Sequence, residues 1–231
     1  MSDLSITMPV YNEGKSILKT THDLVKELKK NKIDYEVVLV DNGSKDNTSF
    51  YIKKLVKENR KIKMVHVKIN QGYGWGIING LEACAGKYIG WVDGDGQIRP
   101  MDAVACYNFL KTNPSFDVCK GKRKEKHGKI QRIIVSHFFD LLFPILFFHY
   151  FRDINAKPKV MKKEVFKKLN LKSKNWFIDC EVLIKAVKNN YKVGHVDVEV
   201  LTRKSGKTNV RSKVLFEFIR DIIKARFNKF N

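Results

Sequence analysis

Asp93, Asp95 and Gln97 alternate through GWVDGDGQIRP, directly after the apolar run Tyr88-Ile89-Gly90-Trp91-Val92. Residues two apart in an extended chain project to one side, so both carboxylates can address a single point, with Gln97 adding a neutral oxygen. Hard oxygen donors in that arrangement suit Mg2+ or Mn2+ held jointly with a diphosphate, because these ions keep coordination positions for water and phosphate oxygens. An Asp-Gly pair also marks an ordinary turn. Two such pairs in succession behind a buried strand, followed by Gln97 and Pro100, favour the metal.

Further polar residues stand at the ends of other apolar runs: Tyr11-Asn12-Glu13, Asp41-Asn42-Gly43-Ser44 and Asn70-Gln71-Gly72. The carboxylates of Glu13 and Asp41 can accept hydrogen bonds from a base N–H and from ribose hydroxyls, and Tyr11 offers a stacking face. Asn12 and Ser44 can equally cap the helices that follow, with no ligand involved.

These residues need elements to position them. Residues 4–10, 36–40, 63–67 and 88–92 read as strands, and residues 16–30, 47–58, 74–85 and 101–110 between and after them as amphipathic helices. Strand alternating with helix predicts an α/β fold, a mostly parallel sheet flanked by helices, whose ligands gather at the carboxyl ends of the strands. Later in the chain, residues 176–187 read as a helix and 192–200 as a strand.

The composition sets outer limits. Lys+Arg 45 against Asp+Glu 24 leaves 45 − 24 = +21 over 231 residues, which calls for an anionic partner or a well-solvated lysine surface. Nucleic acid is not the expected partner, since neither a recognition helix nor an aromatic stacking platform accompanies the charge. Cys84, Cys106, Cys119 and Cys180 are scattered without metal-ligand spacing and read as reduced core thiols of a cytoplasmic protein. No basic region followed by an apolar stretch opens the chain, so no signal peptide is expected.

After Val118 the pattern changes. A basic run, KGKRKEKHGKIQR at 120–132, precedes the apolar and aromatic IIVSHFFDLLFPILFFHYF at 133–151. Asp140 and Pro144 argue against a bilayer span and divide the stretch into two short segments suited to a membrane interface beside basic residues, with a core helix pair as the alternative. The tail, 209–231, reads as a basic amphipathic helix for a membrane or a partner, with Val214, Leu215, Phe218, Ile222 and Ala225 or Phe227 on its apolar face. The expected organisation is therefore a catalytic domain over 1–208, including an acceptor and membrane-interface segment at 120–151, and the tail helix.

ITMPVYNEGKSI, VVLVDNGSKDNT, NQGYGWGIINGLEACAGKYIGWVDGDGQIRP and LTRKSGKTNV, in this order and spacing, resemble the family 2 glycosyltransferases of the GT-A fold. Within that family they look most like the polyprenol-phosphate sugar synthases typified by dolichol-phosphate mannose synthase. The resemblance implies that Pro9, Tyr11, Glu13 and Asp41 hold the nucleotide, and that Asp93, Asp95 and Gln97 hold Mg2+ or Mn2+ on the diphosphate of a GDP- or UDP-sugar. It implies that Arg203 and Lys207, in RKSGK, fold over the donor phosphates and stabilise the leaving nucleoside diphosphate. Asn42 stands where the family often has a second Asp.

The resemblance also implies an acceptor. Arg123, in a G-x-R, and Arg132 with Ser136 would bind a polyprenyl phosphate whose chain lies along the aromatic segment. Such an acceptor is already anionic and needs no general base, so in-line attack would invert the anomeric centre. Asp179 and Glu181, in WFIDCEVL, match the family's W-x-x-D-x-E helix start. They would orient the sugar or, for a hydroxyl acceptor, supply a base, although an acidic pair in a first turn also suits the helix dipole. The expected enzyme is an inverting hexosyltransferase peripherally associated with the cytoplasmic membrane face, anchored by a small membrane partner or by the amphipathic tail. The alternative is a family 2 enzyme extending a surface polysaccharide or another glycan.

Overall fold

The computed structural model describes residues 2–124, 143–199, 201 and 220–227. Seven strands form one sheet in the order β3-β2-β1-β4-β6-β5-β7. They are β1 (Leu4–Val10), β2 (Tyr35–Asp41), β3 (Ile62–His66), β4 (Tyr88–Trp91), β5 (Val118–Arg123), β6 (Lys159–Lys162) and β7 (Val193–Val198). Only β6 runs against its neighbours, pairing antiparallel with both β4 and β5. The sheet is otherwise parallel, as the alternation of strand and helix predicts.

Six helices are bounded within the described residues: α1 (Ser16–Lys30), α2 (Thr48–Glu58), α3 (Tyr73–Ala83), α4 (Pro100–Thr112), α5 (Lys163–Leu169) and α6 (Ile178–Lys188). Their apolar spacing decides how they pack. α1 buries Ile17, Thr21, Leu24, Val25 and Leu28, one stripe at three- and four-residue intervals. α4 opens on Pro100, whose missing N–H is an orphan at that position in any helix.

β1 and β2 are buried at all seven positions, as strands covered on both faces must be. Alternate residues serve different layers. Leu4, Ile6, Met8, Val37 and Leu39 pack with α1, α2 and α4, whereas Val38 and Val40 pack with α3, α5 and α6. The result is three layers, helix on sheet on helix, and the α/β class expected from the sequence holds.

A smaller cluster lies beyond α6. Phe143, Ile154, Phe177, Cys180, Leu183 and Ile184 pack there with Ile222 and Ala225 of a helical turn at residues 220–226. Phe143, Ile222 and Ala225 are each fully buried and join the aromatic segment and the tail to their own domain, while Ile145, Phe148, Tyr150, Ile223 and Phe227 stay exposed. Among the described residues no helix is long and apolar enough to cross a membrane.

Candidate active site

The register brings the polar strand ends to one edge. β1 and β2 end level, Val10 opposite Asp41, and Thr7 lies opposite Trp91, so the turn after β4 opens beside Pro9. The loops after β1 and β2 are laced together. Asn12 Oδ1 accepts from the Lys45 N–H at 2.8 Å, the Asn12 N–H donates to Ser44 Oγ at 3.1 Å, and the Gly14 N–H donates to Thr48 Oγ1 at 2.8 Å. Asn12 and Ser44 therefore join two loops, and neither α1 nor α2 has a side-chain N-cap.

Pro9 is buried and Tyr11 is partly open to solvent. Glu13 lies at the start of α1, with Ser16 Oγ donating to its carbonyl at 2.6 Å and near its carboxylate at 3.3 Å. Asp41 is fully buried, and its Oδ1 accepts from the Ser44 N–H at 2.9 Å. Its Oδ2 has no hydrogen-bond partner. His66 Nδ1 lies 3.4 Å away without making that bond. A buried acceptor left open costs about 1–3 kcal/mol, and a ligand N–H delivered there would recover it.

The acidic turn is built by its two glycines. Gly96 has φ +73°, open to glycine at little cost, while a Cβ on Gly94 would collide with Val10. Asp95 Oδ1 accepts from the Gln97 N–H at 3.0 Å, fixing the turn. Gln97 is tied to the exit from β7, donating through Nε2 to the Leu201 carbonyl at 3.2 Å and accepting the Leu201 N–H at 2.9 Å. Arg99 adds an ion pair with Glu199 at 2.6 Å. Arg203 and Lys207 lie outside the described residues, as do Arg132 and Ser136.

Asp93 is held from outside its turn. Tyr73 Oη donates to its Oδ1 at 2.5 Å, and Lys157 Nζ is 3.9 Å from its Oδ2. The Tyr73 ring stacks on Trp176 at 4.1 Å between centroids. Burial, then the Asp93 charge, push the Tyr73 phenol well above its ordinary range, so it remains a donor. Two half-buried carboxylates with hard oxygens suit Mg2+ or Mn2+ shared with a diphosphate. Among the described residues no three His, Cys, Asp or Glu side chains form a metal cluster. The Gln97 amide nitrogen is turned to Leu201, which leaves only its oxygen for such a role.

Asp179 and Glu181 are brought close to this edge but are differently placed. Asp179 is 1% exposed, between Lys157 at 2.9 Å and Lys159 at 2.5 Å. Glu181 is fully buried and accepts the Lys172 and Ser173 N–H groups at 2.9 and 2.8 Å, with Lys185 at 2.6 Å. Glu181 thus holds the chain before α6 rather than facing a substrate.

Arg123 is also occupied. Its Nε and Nη2 form a fork on Asp153 at 2.8 and 2.5 Å, and its own N–H donates to the same carboxylate at 2.9 Å. Burial raises the Asp153 pKa, yet Arg123 outweighs burial and holds it below the usual value. Sequence reasoning missed Tyr73, Lys157, Lys159 and Trp176. Tyr73 and Trp176 lay inside recognised motifs, but the two lysines carried no local signal.

Residues 5–173 match the family described as Glycosyl transferase family 2. An uncharacterized protein of Methanocaldococcus jannaschii is 27% identical over 231 residues, covering 95% of this chain and 97% of its own. A dolichyl-phosphate beta-glucosyltransferase of Dictyostelium discoideum is 26% identical, covering 97% of this chain and 74% of its own. Among solved structures, glucosyl-3-phosphoglycerate synthase from Mycobacterium tuberculosis, in complex with Mn2+, UDP and glucosyl-3-phosphoglycerate, superposes with a TM-score of 0.75. It is 16% identical, with 97% of this chain and 80% of that one covered.

The narrower expectation, a polyprenol-phosphate synthase with a lipid acceptor and membrane anchoring, does not stand. The solved relatives carry a small acceptor, phosphoglyceric acid or its glucosylated product. Phe143, Ile222 and Ala225 of the two segments assigned to the membrane pack with α6, and the Arg123 fork assigned to a lipid phosphate is engaged by Asp153. At 26% identity the dolichyl-phosphate name describes the relative and not the acceptor of this protein. With most of its length matched, this chain belongs to glycosyl transferase family 2 and is a glycosyltransferase of the GT-A fold.

Proposed function

We propose that the protein is a metal-dependent glycosyltransferase that moves a sugar from a nucleoside-diphosphate sugar to a small acceptor bearing a hydroxyl and an anionic group. The observation that carries this reading is the shared edge of the sheet, where the buried, open oxygen of Asp41 stands at one strand end and the Asp93–Asp95 pair at another. Asp41 would take a base N–H, Tyr11 would stack, and Pro9 and Glu13 would border the base and ribose. Asp93 and Asp95, with Gln97 through its oxygen, would hold Mg2+ or Mn2+, whose charge supports the diphosphate as it leaves. The solved relatives bind Mn2+ or Mg2+ together with UDP, which supports the same cofactors here.

An anionic acceptor accords with the surplus of +21 and with the phosphoglyceric acid of the solved relative. Leu201 is pinned to Gln97, and Arg203 and Lys207, a few residues further along the chain, are proposed to meet the donor phosphates. Four free, buried cysteines fit a reducing compartment.

The test is a matrix of labelled UDP- and GDP-sugars against 3-phosphoglycerate, glycerate and short oligosaccharides, with Mn2+ or Mg2+ and with Asp95→Ala as control. Metal- and Asp95-dependent transfer to a phosphorylated small acceptor is expected. Label appearing only in oligosaccharide would move the enzyme to glycan extension, and the absence of donor turnover with every acceptor would overturn the proposal.

A further inference from the structure

Asp95 accepts a backbone N–H of its own turn, and Asp93 is gripped from two distant elements, by Tyr73 at the start of α3 and by Lys157 just before β6. Lys157 is itself fixed. Its ammonium lies 2.9 Å from Asp179, 5.1 Å from the centre of the Tyr73 ring and 5.7 Å from that of Trp176, and its side chain is 10% exposed. Asp179 is anchored from behind by Lys159, which also donates to the Ala156 carbonyl at 3.0 Å. The order Lys159, Asp179, Lys157, Asp93 alternates charge from the core to the edge of the site.

The Lys157 ammonium lies between two carboxylates, Asp179 at 2.9 Å and Asp93 at 3.9 Å. Lys157 is therefore a fixed positive charge beside one of the carboxylates assigned to the divalent ion. A cation approaching the two carboxylates meets a negative field reduced by that ammonium. A nucleoside diphosphate restores the negative charge, and its oxygens complete the coordination.

We propose that Lys157 is a positioning residue whose charge couples metal binding to donor binding, so that the carboxylate pair takes up its divalent ion with the diphosphate rather than ahead of it. The proposal rests on the metal role given to Asp93 and Asp95 above. A purely structural lysine would behave otherwise, since removing it would loosen the site and weaken metal binding with and without nucleotide alike.

The measurement is a titration of the full chain with Mn2+, read by the paramagnetic resonance signal of the free ion, alone and with UDP or GDP, after subtraction of nucleotide blanks. Wild type is expected to bind Mn2+ at least about tenfold more tightly with nucleotide. Lys157→Met, which keeps the stem against the two rings, is expected to bind Mn2+ alone about tenfold more tightly than wild type. That is the low end for one unit charge at this distance, because Asp179 shares it. The gain from nucleotide should shrink by the same factor, and Lys157→Arg should resemble wild type.

A folded Lys157→Met with unchanged or weaker affinity for Mn2+ alone would overturn the proposal. If that variant does not fold, wild type decides, since less than about threefold coupling between Mn2+ and nucleotide overturns it equally. Mn2+ binding in the presence of nucleotide that survives Asp95→Asn would instead remove the metal role of the carboxylate pair.

Discussion

Asp93 with Asp95 and Asp179 with Glu181 are both acidic pairs spaced two residues apart, and they live in opposite physical situations. The first pair sits half-buried in a glycine turn, with access to solvent. The second is buried in the first turn of α6 and surrounded by lysines and backbone N–H groups. A carboxylate already surrounded by its counter-charges has little left to offer a substrate, and one with room beside it can bind a cation. Under the proposed function the pairs divide the work, one serving binding and the other stability.

Removing Asp179 should have the largest effect. Asp179→Ala leaves Lys157 and Lys159 without their shared counter-charge in the core, and destabilisation of about 4 kcal/mol is expected in urea unfolding. Unchanged stability would break the contrast between the pairs. Asp95→Ala should do the reverse, costing about two to three orders of magnitude in kcat/KM while the thermal midpoint stays within about 2 °C of wild type. A large loss of stability there would mean that the acidic turn is also structural.

Glu181→Gln sharpens the comparison further. The amide can still accept one N–H but cannot serve Lys172, Ser173 and Lys185 together, so a loss of about 1–2 kcal/mol is expected with KM for the donor unchanged. The smallest effect is in acid. Asp153 has its pKa lowered from 3.8 by Arg123, so its contribution is fully present above that unfolded value and is lost as pH falls below it toward the folded one. Unfolding followed from pH 5 to pH 2 should steepen for wild type relative to Asp153→Asn.

The sequence showed the open pair clearly and the closed pair ambiguously. DGDG after a buried strand states its own geometry, because an alternating carboxylate pattern and two turn glycines are local properties. Asp179 and Glu181 looked just as catalytic because the groups that neutralise them come from residues 157–159 and 172–173. Lys120 shows the same limit. It sits in KGKR, reads as one more solvated lysine, and yet is 2% exposed, donating to the carbonyls of Gly121, Arg152 and Asp153. Which lysine of a basic run turns inward depends on a cradle of carbonyls assembled from far along the chain, and no local pattern encodes it. The reversed strand β6 escaped for a related reason, since KVMK is short and its direction is set by both neighbours. The strands that alternation did reveal, β1 to β4, are those joined by single helices.

The position of β6 also has a temporal consequence. As the ribosome releases the chain, strands β3, β2, β1 and β4 can pair once Trp91 has emerged, but β4 keeps one open edge until residues 159–162 arrive to cover it. In that interval the nascent protein carries an open strand edge along Tyr88, Ile89, Gly90 and Trp91, a template for mispairing with another chain. Pulse-labelled hydrogen exchange during refolding should accordingly find amides of β1 and β2 protected before those of β5 and β7. The step most exposed to aggregation is thus the arrival of a four-residue strand, and a chaperone that shields β4 would act where the fold is least able to protect itself.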